Sequence, residues 1–223
     1  MTAAALTVMT YNIGNGTATP DRLATVLRDS GADIIGLEEV SAAQAAELDA
    51  PLADSYPYRA LFGEGIPGKG VLSRLPIRSV QQLDFNPGRP DLHAIVEWRG
   101  AALHVLVVHP PPPTPPAMAD RDRQLERLQA LVALPEPLLM MGDLNMIRFQ
   151  NAYHALLATG LQDAFATAGR GSSRTFPRRR GWFPLIPIIR LDYILHSSEL
   201  TARDAWVGGD AGSDHLPLFA TLC

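Results

Sequence analysis

The chain has 223 residues, 47% of them hydrophobic and 19% charged, with a formal net charge of −4. That length suits one sizeable α/β domain, residues 1–223, rather than two, and the acidic balance excludes a global field drawing the chain onto nucleic acid, so any such contact has to be local. Its single cysteine, Cys223, excludes an internal disulfide framework and a cysteine-based zinc site, and fits a reducing cytoplasm.

The opening "MTAAALTVMTYNIG" has neither a basic start nor a long apolar core, so it does not read as a signal peptide, and no apolar run reaches the length of a membrane span. "LTVMTYNI" alternates as a strand and stops at "GNG". "TPDRLATVLRDSG" follows as a short helix, with Thr19 at its N-cap, Pro20 in its first turn and Gly31 as its stop. "ADIIGLEEV" is a second buried strand and "SAAQAAELDAPL" a second helix, opened by Ser41. Four strand-like runs come next: "YRALF", "KGVLSRLP", "LHAIVEW" and "AALHVLVVH". "PPPPTPP" interrupts the chain before the amphipathic helix "AMADRDRQLERLQALVAL". "PLLMMGDLN" is a fully apolar strand and "FQNAYHALLATG" is helical. A loop rich in arginine and proline then leads to the closing strands "RLDYILHS", "ARDAWVG" and "LPLFATL". Strands alternating with helices at both ends, around a run of consecutive strands, predict a mixed sheet or two packed sheets with helices outside.

Polar residues stand at the ends of these apolar strands: Asn12, Glu38 and Glu39, His109, Asp143 and Asn145, Asp192, and Asp214 with His215. Singly, each has an ordinary explanation as a turn residue, a helix cap or a satisfied histidine. Together they mark strand ends where the loops of an α/β fold converge on a site. Asp143 and Asn145 are two apart and face the same way in an extended chain, whereas Asp214 and His215 are adjacent and point apart. His215 therefore needs a remote orienting acid, best supplied by Asp192, which leaves Asp214 free to join a metal shell. His104 faces away from His109 and is not counted as its partner.

The segments "MTYNIGNG", "ADIIGLEEV", "VLVVHPPP", "MMGDLN", "RLDYILHS" and "GSDHLPLFATL" resemble, in order and over essentially the whole chain, the endonuclease/exonuclease/phosphatase superfamily, which includes deoxyribonuclease I-like nucleases, sphingomyelinases and inositol-phosphate phosphatases. The HPPPP stretch looks most like a bacterial branch. The resemblance implies a four-layered α/β sandwich with two central, mostly antiparallel sheets flanked by helices. It also implies hydrolysis of a phosphate ester with Mg²⁺ or Mn²⁺, ions that the hard oxygen ligands suit. One departure is "LEEV", where the family usually has Gln before its metal-binding Glu. By position Glu39 matches that ligand and Glu38 takes the Gln place.

On this reading Glu39 is the principal metal ligand, with Asn12 and Asp214 completing or orienting the shell. Asp143 positions or deprotonates the attacking water and Asn145 holds phosphate or water beside it. His215, oriented by Asp192, is the second acid/base group or a donor to developing charge, and His109 donates to a non-bridging oxygen. Either Asp143 or His215 is the base. Arg178, Arg179, Arg180 and Trp182 form a basic and aromatic lip for the substrate, or a solvated turn. The leading expectation is a nuclease-like phosphodiesterase, and its alternative acts on a phospholipid or a small phosphate ester. "GEGIPGKG" fits most of a phosphate-binding loop but lacks the Ser/Thr after Lys69, and "GNGTAT" lacks the third glycine of a dinucleotide fingerprint. An oxidoreductase and a non-catalytic binding protein are therefore distant alternatives.

Overall fold

The computed structural model describes residues 5–133, 137–180 and 183–223, the side chains of Ala133 and Arg180 excepted. In chain order the elements are β1 (Leu6–Asn12), α1 (Pro20–Asp29), β2 (Ile34–Glu38), α2 (Ala42–Leu52), β3 (Tyr58–Phe62), β4 (Lys69–Ser73), β5 (Ile77–Leu83), β6 (Asp91–Trp98), β7 (Ala101–Val107), α3 (Met118–Ala130), β8 (Leu138–Asp143), α4 (Asn151–Ala158), β9 (Gln162–Asp163), α5 (Ala164–Ala168), β10 (Arg179–Arg180), β11 (Phe183–Pro184), β12 (Asp192–His196), β13 (Ala202–Val207) and β14 (Leu218–Leu222).

Period-two alternation decides what each strand covers. Val8, Ile34, Val71 and Ala220 point inward from one sheet and meet Val105, Val107, Leu139 and Met141 of the other. The intervening residues Met9, Tyr11, Ile35 and Leu37 point outward and bury Leu23 and Leu27 of α1 and Leu48 of α2. On the far side Leu106, Met140 and Leu195 do the same against Leu125 and Leu128 of α3 and Leu156 of α4. Four layers result, with two mixed sheets of six strands at the centre, ordered β13-β14-β1-β2-β4-β3 and β5-β6-β7-β8-β12-β9. Only β1–β2 and β7–β8 pair in parallel within those two sheets.

The helix starts follow the sequence with one difference. Ser41 closes a capping box with Gln44, whereas Thr19 occupies the N-cap of α1 without a side-chain bond. Strand β5 is an element that alternation does not reveal. "IRSVQQL" has apolar residues at every third position: the register shift between Ile77 and Ser79 puts Ile77 and Val80 on one face, and Leu83 packs on the other. Helix α4 begins at Asn151, leaving Phe149 outside it.

Candidate active site

One edge of the two sheets collects the polar residues. The parallel strands β1 and β2 run toward this edge and deliver Asn12 and Glu39 at their ends; β7 and β8 do the same with His109 and Asp143. Strand β12 runs the other way, so its first residue, Asp192, lies directly opposite Asp143. The turn before β14 brings Asp214 and His215 to the same edge. Gly142 makes the close approach possible: its φ is 152°, and a Cβ there would lie 1.8 Å from the carbonyl oxygen of Val108.

Asp143 is the hub. It is buried, and its Oδ1 accepts the backbone N–H of Asn145 at 2.9 Å. Its Oδ2 accepts Asn12 Nδ2 at 3.1 Å and faces the Nε2 atoms of His109 and His215, each at 3.6 Å. His215 Nδ1 lies 2.9 Å from Asp192 Oδ2, the contact that the side-chain directions predict. Phe176 packs on the His215 ring, with centroids 4.7 Å apart. Asn145 Nδ2 donates to the carbonyl of Pro110, so the proline run after His109 holds the loop that carries Asn145.

Glu38 and Glu39 separate as their backbone turns. Glu38 ends β2 fully buried, with Oε1 accepting the Thr10 hydroxyl at 2.8 Å and Oε2 without a hydrogen-bond partner. Glu39 has φ 55°, in the left-handed region that costs a non-glycine residue of order 1 kcal/mol, and this turn sends its carboxylate toward the site. There Asn12 Nδ2 donates to it at 3.2 Å and His109 Nε2 lies 3.8 Å away. Asn145 is also left-handed, at φ 47°.

Crowded carboxylates dominate the electrostatics. Burial, then the charge of Asp192, pushes the Glu38 carboxyl well above its usual range. Burial raises Asp143 as well, with Asp192 adding to it against His215. For Glu39 burial is again the main cause, and Asp214 contributes. Burial works against a charged His215, yet Asp192 and Asp143 raise it above the ordinary imidazole value. His109 moves the opposite way, lowered by burial and then by the charges of Lys69 and Arg89.

Among the described residues, no three His, Cys, Asp or Glu side chains converge into a closed cage. The donor set is sparser: one part-exposed carboxylate, Glu39, with Asp214 nearby, while Asn12 turns its Nδ2 to Glu39 and its Oδ1 accepts the Gly14 N–H. Such a set fits Mg²⁺ or Mn²⁺, which keep waters and take one or two carboxylates. Asp214 adds negative charge beside Glu39, and His215 and Arg89 oppose it.

Behind His109 lies a group that a search of strand ends overlooks. Asp91 Oδ1 accepts the backbone N–H of His109 at 3.2 Å, and Asp91 Oδ2 accepts Gln124 Nε2 at 2.7 Å. Lys69, the chain's only lysine, is buried 3.8 Å from Asp91 and donates to the carbonyls of Pro67 and Pro90. Lys69 begins β4 and lies across from Glu38, in the strand that follows the turn "GEGIPG". A lone lysine at the head of a buried strand was the available signal.

The basic lip is partly tied down. Arg178 Nε and Arg179 Nη2 both meet Asp210 Oδ2, at 3.4 and 2.8 Å, and Arg178 N–H donates to the carbonyl of Asp214. The side chain of Arg180 and all of Trp182 lie outside the described residues.

The profile of the Endonuclease/Exonuclease/phosphatase family matches residues 9–215. The chain belongs to that family. "Uncharacterized protein YbhP" of Escherichia coli K12 is 31% identical over 250 residues, covering 96% of this chain and 95% of that protein. An endonuclease/exonuclease/phosphatase from Beutenbergia cavernae superposes with a TM-score of 0.81 at 24% identity, over 98% of this chain and 71% of the other. Sphingomyelinase C from Streptomyces griseocarneus superposes at 0.76 and 23% identity, over 98% and 99% of the two chains. These likenesses bear out the four-layered sandwich, and members of the family are generally phosphoester hydrolases.

Proposed function

We propose that this chain is a divalent-metal-dependent hydrolase of phosphodiesters. The observation that carries the reading is the hub itself: Asp143 Oδ2 facing Asn12, His109 and His215, with Asp192 behind His215. Both ring nitrogens of His215 face carboxylates, an arrangement that favours the protonated ring. Asp143 is then the base for the attacking water, and His215 the cationic donor to charge developing on the phosphoryl group. His109, held by burial as a neutral ring, donates one N–H to a non-bridging oxygen, and Asn145 holds the water or the phosphate beside Asp143. The contacts of 3.6 Å are too long for good hydrogen bonds, as catalytic contacts often are before substrate tightens them. Glu39 would hold Mg²⁺ or Mn²⁺, with Asn12 and Asp214 flanking it; the ion would neutralise phosphoryl charge as a Lewis acid.

The test is hydrolysis of bis(p-nitrophenyl) phosphate, DNA, RNA and a phospholipid with and without Mg²⁺ or Mn²⁺, using Asp143→Ala and His215→Ala as controls. Metal-dependent turnover lost in both folded variants is expected. Near wild-type rates in either variant would sink its assigned role. Nuclease-like cleavage is the outcome the sequence favours; the surface around the site favours another.

A further inference from the structure

Residues 164–191 contain six arginines and no acidic residue, in a chain whose net charge is −4. The same stretch and the loop after Asn145 carry the most exposed large apolar side chains among the described residues: Phe149 at 73%, Phe183 at 77%, Ile186 at 83% and Ile188 at 65%. Ile147 and Leu185 add smaller exposed areas. Scattered single apolar residues on a surface need no explanation, but Ile147, Phe149 and Ile188 line one cleft and Ile186 a second, with Arg174 in both, and a group of this kind marks an interaction site.

Its position is fixed to the chemistry. Ile147 is two residues from Asn145. Ile188 donates its backbone N–H to Phe176, whose ring packs on His215, and Leu185 donates to the carbonyl of Arg178, whose own N–H is bound to Asp214. A cleft of about 580 Å³ runs beneath the apolar rim, lined by Ile147, Phe149, Phe165 and Ile188 together with Arg148 and Arg174. Arg148 stacks on Phe149, and neither Arg148 nor Arg174 meets a carboxylate among the described residues. Arg170, Arg178, Arg179 and Arg190, by contrast, are paired with Asp204, Asp210 and Asp163.

We infer that this rim docks on a phospholipid bilayer and presents the site to headgroup phosphodiesters. The inference rests on the reading of the site as a phosphodiesterase and names its substrate class. Aliphatic side chains distinguish a bilayer from a nucleic-acid strand. Bases stack on aromatic rings or guanidinium planes, and Ile147, Leu185, Ile186 and Ile188 offer neither. Aliphatic and phenylalanine side chains flanked by arginine are instead the composition that enters the headgroup–acyl boundary, with the cations on lipid phosphates. Arg148 and Arg174, which meet no carboxylate among the described residues, supply charge complementarity to an anionic leaflet.

The decisive experiment compares wild type with the triple variant Phe149→Ser, Phe183→Ser, Ile186→Ser, all exposed positions outside the hub. Each protein is sedimented with mixed phosphatidylcholine–phosphatidylglycerol vesicles, titrated with a single-stranded oligonucleotide, and assayed on vesicle phospholipid and on soluble bis(p-nitrophenyl) phosphate. Wild type is expected to bind vesicles. The triple variant is expected to bind them at least tenfold more weakly and to lose phospholipid turnover in proportion, while cleaving the soluble ester at the wild-type rate. Wild-type cleavage of the soluble ester without vesicle binding overturns the docking surface and leaves the active-site reading standing. So does undiminished vesicle binding in the variant, or tight oligonucleotide binding by a protein that ignores vesicles. Vesicle binding that depends on the three side chains, in a protein inert on every ester, supports the surface and sinks the reading of the site.

Discussion

Two buried carboxylate groups in this molecule are built on opposite principles. Asp163 has its needs met: Arg190 reaches both of its oxygens, Tyr153 donates a hydroxyl at 2.9 Å, and the N–H groups of Phe165 and Ala166 at the start of α5 bind Oδ1. Asp143 and Asp192 instead face one another across two strands, with a third buried acid, Glu38, close enough to feel both. There, Asp192 Oδ1 and Glu38 Oε2 have no hydrogen-bond partner. A carboxylate surrounded by donors and a bidentate guanidinium holds structure together. Carboxylates stacked on one another cost stability, and such costs persist where chemistry needs the groups.

The contrast breaks most visibly at Asp143. Asp143→Asn keeps the size of the side chain, removes the proton acceptor, and is expected to lower turnover by about 10³–10⁴-fold while the protein stays folded. Turnover of soluble ester beside a thermal melt checks it; a variant that melts early would put Asp143 with Asp163. The converse substitution, Arg190→Leu, leaves Asp163 buried without its cation. It is expected to cost about 3–5 kcal/mol of stability with no change in turnover by the folded fraction. Denaturant titration reads the first quantity, and an unchanged midpoint would mean that the donors around Asp163 suffice.

Asp192→Asn sharpens the comparison because it acts at one remove. The substitution takes the carboxylate from His215 Nδ1 and is expected to lower turnover by about 10²-fold, at the lower end of what positioned acid–base groups contribute. Glu38→Gln replaces a carboxyl that burial beside Asp192 and Asp143 drives toward its protonated form, and restores the residue type usual in the family. A gain of about 1 kcal/mol is expected, visible as a melting point higher by about 2–4 °C. A loss of stability would show that the charge of Glu38, rather than its neutral form, is what the fold uses.

The sequence discloses the polar residues of the strands that run toward the site, and of those ahead of strands that run away only Asp192, Asp214 and His215. Asn12, Glu39, His109 and Asp143 follow long apolar runs, where a polar residue stands out. Lys69 and Asp91 precede theirs, because β4 and β6 are antiparallel to the strands they join, and a polar residue after a turn looks like part of the turn. Side-chain parity sufficed to give His215 to Asp192 rather than to Asp214, since it needs only extended backbone. It could not reach Glu39, whose direction depends on a left-handed φ that no residue pattern announces. The bulge in β5 hid a strand in the same way: one residue of shift destroys the period by which a strand is read.

A second pair of histidines, away from the carboxylates, extends the comparison to its smallest expected effect. His93 Nε2 and His104 Nδ1 are 2.7 Å apart with stacked rings, on the neighbouring strands β6 and β7. Burial, then the charge of His104, lowers His93 below its ordinary value of 6.5, whereas nearby carboxylates raise His215. A base with a depressed value in the folded state takes up its proton first in the unfolded chain. Its effect on stability is therefore nil above 6.5, grows as pH falls below 6.5, and levels off once the folded protein is protonated too. His93→Gln is expected to melt with a shallower loss between about pH 7.5 and pH 5.5 than wild type, with turnover unchanged. Parallel melting curves for the two proteins across that window would mean that His93 does not feel its burial.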